Sequence, residues 1–336
     1  MNAIKTDPLN TFLILLSFGL AYIFPFELFI MSYAILGPLH YLTEINWVRD
    51  QKYFVANKSW IYIVITLAAL ISIRIITKLP FLSEIAENSF IKNTIHYLHY
   101  YSNNLFFIAL IIAFAFLFYK KTKQQVIIVT IGLLVMFLLN EFSIYKILLG
   151  VFLPTLIHVY IFTILFMWYG NSKNKSRIGF LNITLLIAVP FLLLFIPIDN
   201  ITYHFSDTIK TIVLENNFYI LNTSVSKLFG INDGTTFFFY ETLDIKVQIF
   251  IAFAYTYHYL NWFSKTTVIG WHKTITKKKS IVILTFWIIS VSLYFYNYTL
   301  GLSLLLFLSV LHVLMEFPLN IITIKSLMKD LSKKVN

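Results

Sequence analysis

Long apolar runs recur along this chain, most of them close to the roughly 18 residues that a helix needs to cross a bilayer. No other feature restricts its fold as tightly. Hydrocarbon offers no water to an open backbone N–H or C=O, so a spanning segment must satisfy its own polar groups. A helix does this internally. A strand does it only in a closed barrel, where segments of about ten residues alternate apolar and polar side chains. These runs are longer and do not alternate. The expected fold class is therefore all-α: a polytopic helical membrane bundle, forming one transmembrane domain over 1–336. With 59% hydrophobic and 12% charged residues, composition agrees. The first run lacks a small-residue cleavage site behind it, so it reads as the first span and not as a removable leader.

Ten spans fit the pattern: 11–24, 26–47, 59–79, 103–119, 125–141, 147–169, 180–196, 247–263, 281–298 and 302–324. Basic residues accumulate on the cytoplasmic side of membrane proteins. With the N-terminus inside and strict alternation, 19 of the 26 Lys and Arg fall on inside segments, among them Lys120, Lys121, Lys123 and the run Lys277, Lys278, Lys279. Only Asp7, Asp50 and Asp330 of the 15 acids join them. Both termini are thus expected in the cytoplasm. The loops 80–102 and 197–246 are then external. Amphipathic stretches at Thr208 to Leu214 and Asn222 to Phe229 are expected to lie on the membrane surface or to cap the bundle. Arg74 reads as a snorkelling residue near the outer face.

Several chemistries are excluded. The chain has no cysteine, which removes disulfides, thiolate metal sites and iron–sulfur clusters. The net charge of +11 sits in loops, where topology requires it, so it gives no reason to expect nucleic acid. Walker loops, Gly-x-Gly-x-x-Gly, His-Glu-x-x-His and the His-box pattern of membrane desaturases are all missing.

Ionisable groups inside spans are expensive and need a reason. His40, His158, His258 and His312 fall on spans two, six, eight and ten. All four of these spans run from outside to inside. At 1.5 Å per residue the four histidines lie within roughly 10 Å of one another in depth. They are the candidate metal ligands. His40 and Glu44, like His312 and Glu316, are spaced i, i+4, which puts each pair on one helix face. A carboxylate so placed can ligate a metal or orient the imidazole that does. Neutral imidazoles with open positions suit divalent iron or another first-row metal. Asn261 adds a polar group one turn after His258. Tyr41, Tyr255, Tyr257 and Tyr259 flank the histidines. Glu44, Glu316, Tyr41 and Tyr257 are the candidate catalytic groups beside the metal. The plain alternative is that intramembrane histidines serve as helix–helix hydrogen-bond partners.

Three segments carry a family resemblance. Gly37-Pro38-Leu39-His40-Tyr41-Leu42-Thr43-Glu44 resembles the Gly-x-x-His-x-x-x-Asp segment of the Brp/Blh-type bacterial membrane β-carotene dioxygenases. Tyr257-His258-Tyr259-Leu260 is similar to their aromatic-His segment. Leu311-His312-Val313-Leu314-Met315 is similar to their Pro-His segment, with Leu311 in the proline position. Tyr41 stands where a small residue is expected, and Glu44 where the family has Asp. The resemblance implies a bacterial inner-membrane enzyme that holds iron with His40, His258 and His312 and cleaves a carotenoid with dioxygen to give retinal. His158 is the fourth candidate ligand from depth alone. The expected function is an iron-dependent membrane oxygenase acting on a lipidic or isoprenoid substrate. A proton- or metal-coupled transporter and a haem-binding cytochrome remain alternatives.

Overall fold

A computed structural model describes residues 3–76, 79, 88–230, 233–266 and 268–335. Most of loop 80–102 ahead of residue 88 lies outside the described residues, as does the Arg74 side chain. Helices account for all ten expected spans: α1 (Ala3–Ile23), α2 (Pro25–Asp50), α3 (Ser59–Ile76), α4 (Ser89–Tyr100), α5 (Ser102–Phe118), α6 (Thr122–Leu139), α7 (Ser143–Asn174), α8 (Arg177–Phe195), α9 (Asp207–Glu215), α10 (Tyr219–Leu228), α11 (Thr242–Lys265), α12 (Lys277–Tyr296) and α13 (Tyr298–Val335). No strand occurs among the described residues. Local chemistry marks the boundaries. Ser176 caps α8 by accepting from Gly179 N at 3.1 Å, and Asn297 caps α13 by accepting from Leu300 N at 2.8 Å. Pro25, without an N–H to lose, opens α2.

Among the described residues, seven helices are long and apolar enough to cross a membrane: α1, α2, α6, α7, α8, α12 and α13. The chain is therefore an all-helical membrane protein. The other three expected spans are helical but differ in kind. α5 has 17 residues, and α3 is apolar only over Ser59–Ile73. α11 is long enough, but its polar content lowers its hydropathy. The two amphipathic stretches of 197–246 form α9 and α10, and α10 buries Asn222 to Ser226.

Contacts sort into two compact units. Unit 1 is Met1–His40 with Thr155–Lys277; unit 2 is Tyr41–Pro154 with Lys278–Asn336. The chain changes unit inside α2, inside α7 and at the start of α12.

Unit 1 is built around α11. Fifteen of its 24 residues are buried. α1 lies along it with Phe18 edge-on to Phe253. α8 is tied to α1 by Thr11, which donates to Asn182 Oδ1 at 2.6 Å, and by Asn182, which donates to the Asp7 carbonyl at 2.9 Å. Polar groups of α11 serve its neighbours. Gln248 donates to the Pro25 carbonyl at 3.2 Å, and Thr256 meets Ser32 of α2 at 2.8 Å. Hydrogen bonds of this kind help to hold helices together in lipid, where no hydrophobic force does.

Unit 2 packs α13 against α3 and α5, with α5 also against α6. Gly132 of α6 sits against Ile111 of α5, where a side chain would collide with it. Asn104 donates to Asn140 Oδ1 at 3.1 Å and accepts from the Tyr145 hydroxyl at 2.9 Å. Lys279 pairs with Asp50 at 2.8 Å.

Candidate functional site

Two of the predicted site helices depart from α geometry. In α2, residues Ser32–Leu36 form a wide π turn that ends at Gly37. Pro38 follows and has no N–H for the next bond, so the ladder can change register there. In α7, Leu148–Phe162 is π-helical, with Pro154 inside it and Thr155 at φ −117°, ψ −105°. Proline removes a ladder bond and its ring crowds the preceding turn, which is a known cause of such widening. π stretches in helices often mark functional sites. Here one immediately precedes His40 and the other contains His158.

In unit 1, His40, His158 and His258 come together. One ring nitrogen from each lies within 4.8 Å of the others, and all three side chains are buried. Gly37 permits the approach of α2 to α11, since a Cβ there would stand 3.3 Å from the Tyr259 hydroxyl. His40 Nε2 and His258 Nε2 are 3.0 Å apart. The His40 ring also lies against Tyr259, at 5.2 Å between centroids, and Trp262, at 5.6 Å. The His158 and His258 rings are 5.0 Å apart.

Thr163 of α7 reaches this cluster through His258. Its hydroxyl has one proton, which it donates to the Val159 carbonyl at 2.9 Å. Its oxygen also lies 2.9 Å from His258 Nδ1, and with its proton on the Val159 carbonyl it can accept from that nitrogen. In that tautomer His258 Nε2 would turn its lone pair toward His40. A metal-ligating imidazole needs this arrangement, with the far nitrogen donating and the near one free to bind. Metal–nitrogen bonds of about 2.1 Å put tetrahedral donors about 3.4 Å apart. The observed spacing brackets that value, so the three imidazoles fit a transition metal. Asn261, on the same face of α11 as His258, keeps a buried carboxamide oxygen with no hydrogen-bond partner among the described residues.

In unit 2, His312, Glu44, Glu316 and Tyr41 are all buried. A Glu44 oxygen lies within 4.8 Å of a His312 nitrogen, and the Tyr41 ring is 5.8 Å from that imidazole. Asn320 donates to Glu316 Oε2 at 3.4 Å.

Tyr257, expected beside the histidines, directs its hydroxyl to Met167 Sδ at 3.2 Å and Asn10 Oδ1 at 3.4 Å. Tyr259 provides the ring contact to His40. Thr163, Trp262 and Asn320 were not anticipated. Trp262 and Asn320 follow His258 and Glu316 at i+4, a spacing readable in the sequence. Thr163 lies five residues after His158, a position that α periodicity does not pick out.

The class defined so far is a polytopic α-helical membrane protein with a buried histidine cluster able to hold a metal ion. Comparisons with protein-family models, curated proteins and solved structures return no match.

Proposed function

We propose that the protein is a metal-dependent membrane oxygenase, with iron as the metal, acting on a lipidic or isoprenoid substrate such as a carotenoid. The observation that carries this is the meeting of His40, His158 and His258, three buried imidazoles, with the Thr163 hydroxyl placed to support His258 from its far nitrogen. Structural histidines need no such convergence. Two of the segments that resemble the β-carotene dioxygenases, around His40 and His258, contribute to this cluster. A bound redox metal would supply dioxygen activation. Tyr259 and Trp262 shield one imidazole, and the surrounding apolar helices suit a substrate dissolved in the bilayer. For a carotenoid, one carbon–carbon double bond and one dioxygen give two aldehydes, so no external reductant is needed.

The test is elemental analysis of purified protein, followed by dioxygen uptake and product analysis with β-carotene. Wild type is expected to carry iron and to yield an aldehyde product. His158→Ala is expected to lose most of the metal at this centre and all of the activity, since one ligand of three is a large share of the affinity. A Soret band would indicate haem instead. Metal that crosses the membrane down a gradient, without product, would indicate a transporter.

A further inference from the structure

We propose that the hollow between residues 200–204 and Tyr240, in unit 1, binds a lipid with an uncharged, hydroxyl-bearing headgroup, such as a monoglycosyl diacylglycerol. None of its lining residues belongs to the histidine cluster, and the proposal does not depend on the oxygenase reading.

The walls of this hollow are held by specific contacts. Asp199 opens a 3-10 turn over Asn200–Thr202; its side chain accepts from Ile201 N at 3.2 Å and its carbonyl from the Thr202 hydroxyl at 2.7 Å. Asn200 Nδ2 donates to the Tyr240 carbonyl at 3.0 Å, which ties the turn to the far wall. The Tyr240 ring stacks on Phe205 at 5.3 Å, and buried Phe205 packs on Phe26 at 4.8 Å. Tyr203 is pinned through its hydroxyl, which donates to the Tyr22 carbonyl at 2.7 Å. Together they frame an open hollow of about 330 Å³, lined by Asn200, Ile201, Tyr203, His204 and Tyr240. That is the small end of the range for ligand sites.

The lining offers a ligand two acceptors and one donor. His204 Nδ1 lies 2.7 Å from the Tyr203 carbonyl, and a carbonyl only accepts, so Nδ1 carries the proton. In the neutral ring Nε2 is then an acceptor. Asn200 uses its amide on Tyr240 and keeps its side-chain oxygen for a donor. The Tyr240 hydroxyl accepts from Phe205 N at 3.4 Å and has its own proton to give. Hydroxyl groups, which donate and accept at one atom, match this set. Charged heads match it less well. No Lys or Arg lines the hollow, and Asp199 and Glu241 adjoin its lining residues in the chain, so an anion would meet repulsion. A cation would need an open aromatic face. Phe205 already lies against the Tyr203 and Tyr240 rings, and the Lys210 ammonium stands 5.4 Å from the Tyr240 centroid.

The surroundings point to a lipid and not to a free sugar. The Tyr22 hydroxyl donates to the Pro197 carbonyl at 3.3 Å, so the hollow adjoins the ends of α1 and α8. Ile23, Leu194 and Phe195 are exposed at those ends, and Ile201 of the lining is itself 83% exposed. A polar hollow with an apolar border suits an amphiphile, its head in the hollow and its chains along α8.

The test places the full-length chain in phosphatidylcholine nanodiscs containing equal amounts of monoglucosyl diacylglycerol and phosphatidylglycerol. Native mass spectrometry then counts the lipids that stay bound on release. Phosphatidylglycerol carries hydroxyls and a negative charge, so it separates the two features. Wild type is expected to retain the glycolipid at least about 10-fold over either phospholipid. His204→Phe and Tyr240→Phe each keep an aromatic ring and remove one polar atom. Each is expected to lower retention roughly 3–10-fold, the worth of one hydrogen bond. Should Tyr240→Phe lower the unfolding temperature, His204→Phe reads the same site from an exposed position. Lys210→Gln is expected to leave retention unchanged, and His158→Ala to spare it. Equal retention of the three lipids, or wild-type retention by both ring variants, would overturn the proposal. So would a preference for phosphatidylglycerol that Lys210→Gln removes, which would indicate an anion site. Complete displacement of the glycolipid by methyl glucoside at the same concentration would overturn the lipid assignment in favour of a free sugar.

Discussion

α11 and α6 are both long helices in a membrane protein, and they use opposite chemistry. α6 is plainly apolar, and among its described residues only Gly132 is buried. Its Phe, Leu and Val side chains face outward, where lipid solvates them. α11 carries Gln248, Thr256, His258 and Asn261 and buries 15 of its 24 residues. In lipid an apolar surface gains little from contact with another apolar surface, so the interior of a bundle can be more polar than its rim. Hydropathy therefore finds the helices that touch lipid most easily. The helix that organises a site is the one it finds least well.

The comparison breaks most visibly under truncation. Phe253→Ala, in α11 with 0% exposure, is expected to cost about 3–5 kcal/mol and to lower the midpoint of thermal unfolding in nanodiscs substantially. Phe137→Ala, in α6 with 77% exposure, is expected to change stability by less than about 0.5 kcal/mol. Equal effects would mean that α6 is packed against something in the membrane. A smaller penalty comes from charging the lipid face. Leu134→Lys in α6 is expected to cost about 2.5–3.5 kcal/mol if that face meets hydrocarbon, read as reduced insertion or yield. Unchanged insertion would place the face against water or protein. The smallest effect concerns the polar glue of α11. Thr256→Val removes the 2.8 Å contact with Ser32 and is expected to cost about 0.6–1.7 kcal/mol, with Thr256→Ser restoring most of it. A neutral Thr256→Val would show that α11 holds its neighbours by shape alone.

The same contrast explains what could be read from the sequence. All ten helical segments were legible, because backbone satisfaction in lipid leaves few other choices and the apolar runs are long. The candidacy of His40, His158 and His258 was legible too, since an imidazole inside a span is conspicuous. Their meeting was not visible in the sequence. It depends on π stretches in α2 and α7, and apolar periodicity does not report a change of helical register. Tyr257 directs its hydroxyl to Asn10 and Met167 for a related reason. Residues two apart on an α-helix point about 200° apart, so Tyr257 and Tyr259 cannot both face the His40 ring. Asn320 could have been found by extending the i, i+4 ladder of His312 and Glu316 by one step. Thr163 could not, because its contact with His258 exists only once α7 and α11 have packed together.

The wide turn at Ser32–Leu36 also has a bearing on how such a chain could arise and drift. A π turn holds one residue more than the α turn it replaces. Deleting a single residue there would restore an unbroken ladder and would make the local helix more regular. It would also rotate everything beyond by about 100° relative to what precedes it. His40 would swing away from His258 while every apolar residue remained available for lipid. The chain would still insert and fold as a bundle, but the histidine cluster would be gone. At this point in the molecule, then, the length of the segment is itself a functional trait, and a frame-preserving gain or loss of one codon would act as an on–off mutation that no measure of hydropathy would register.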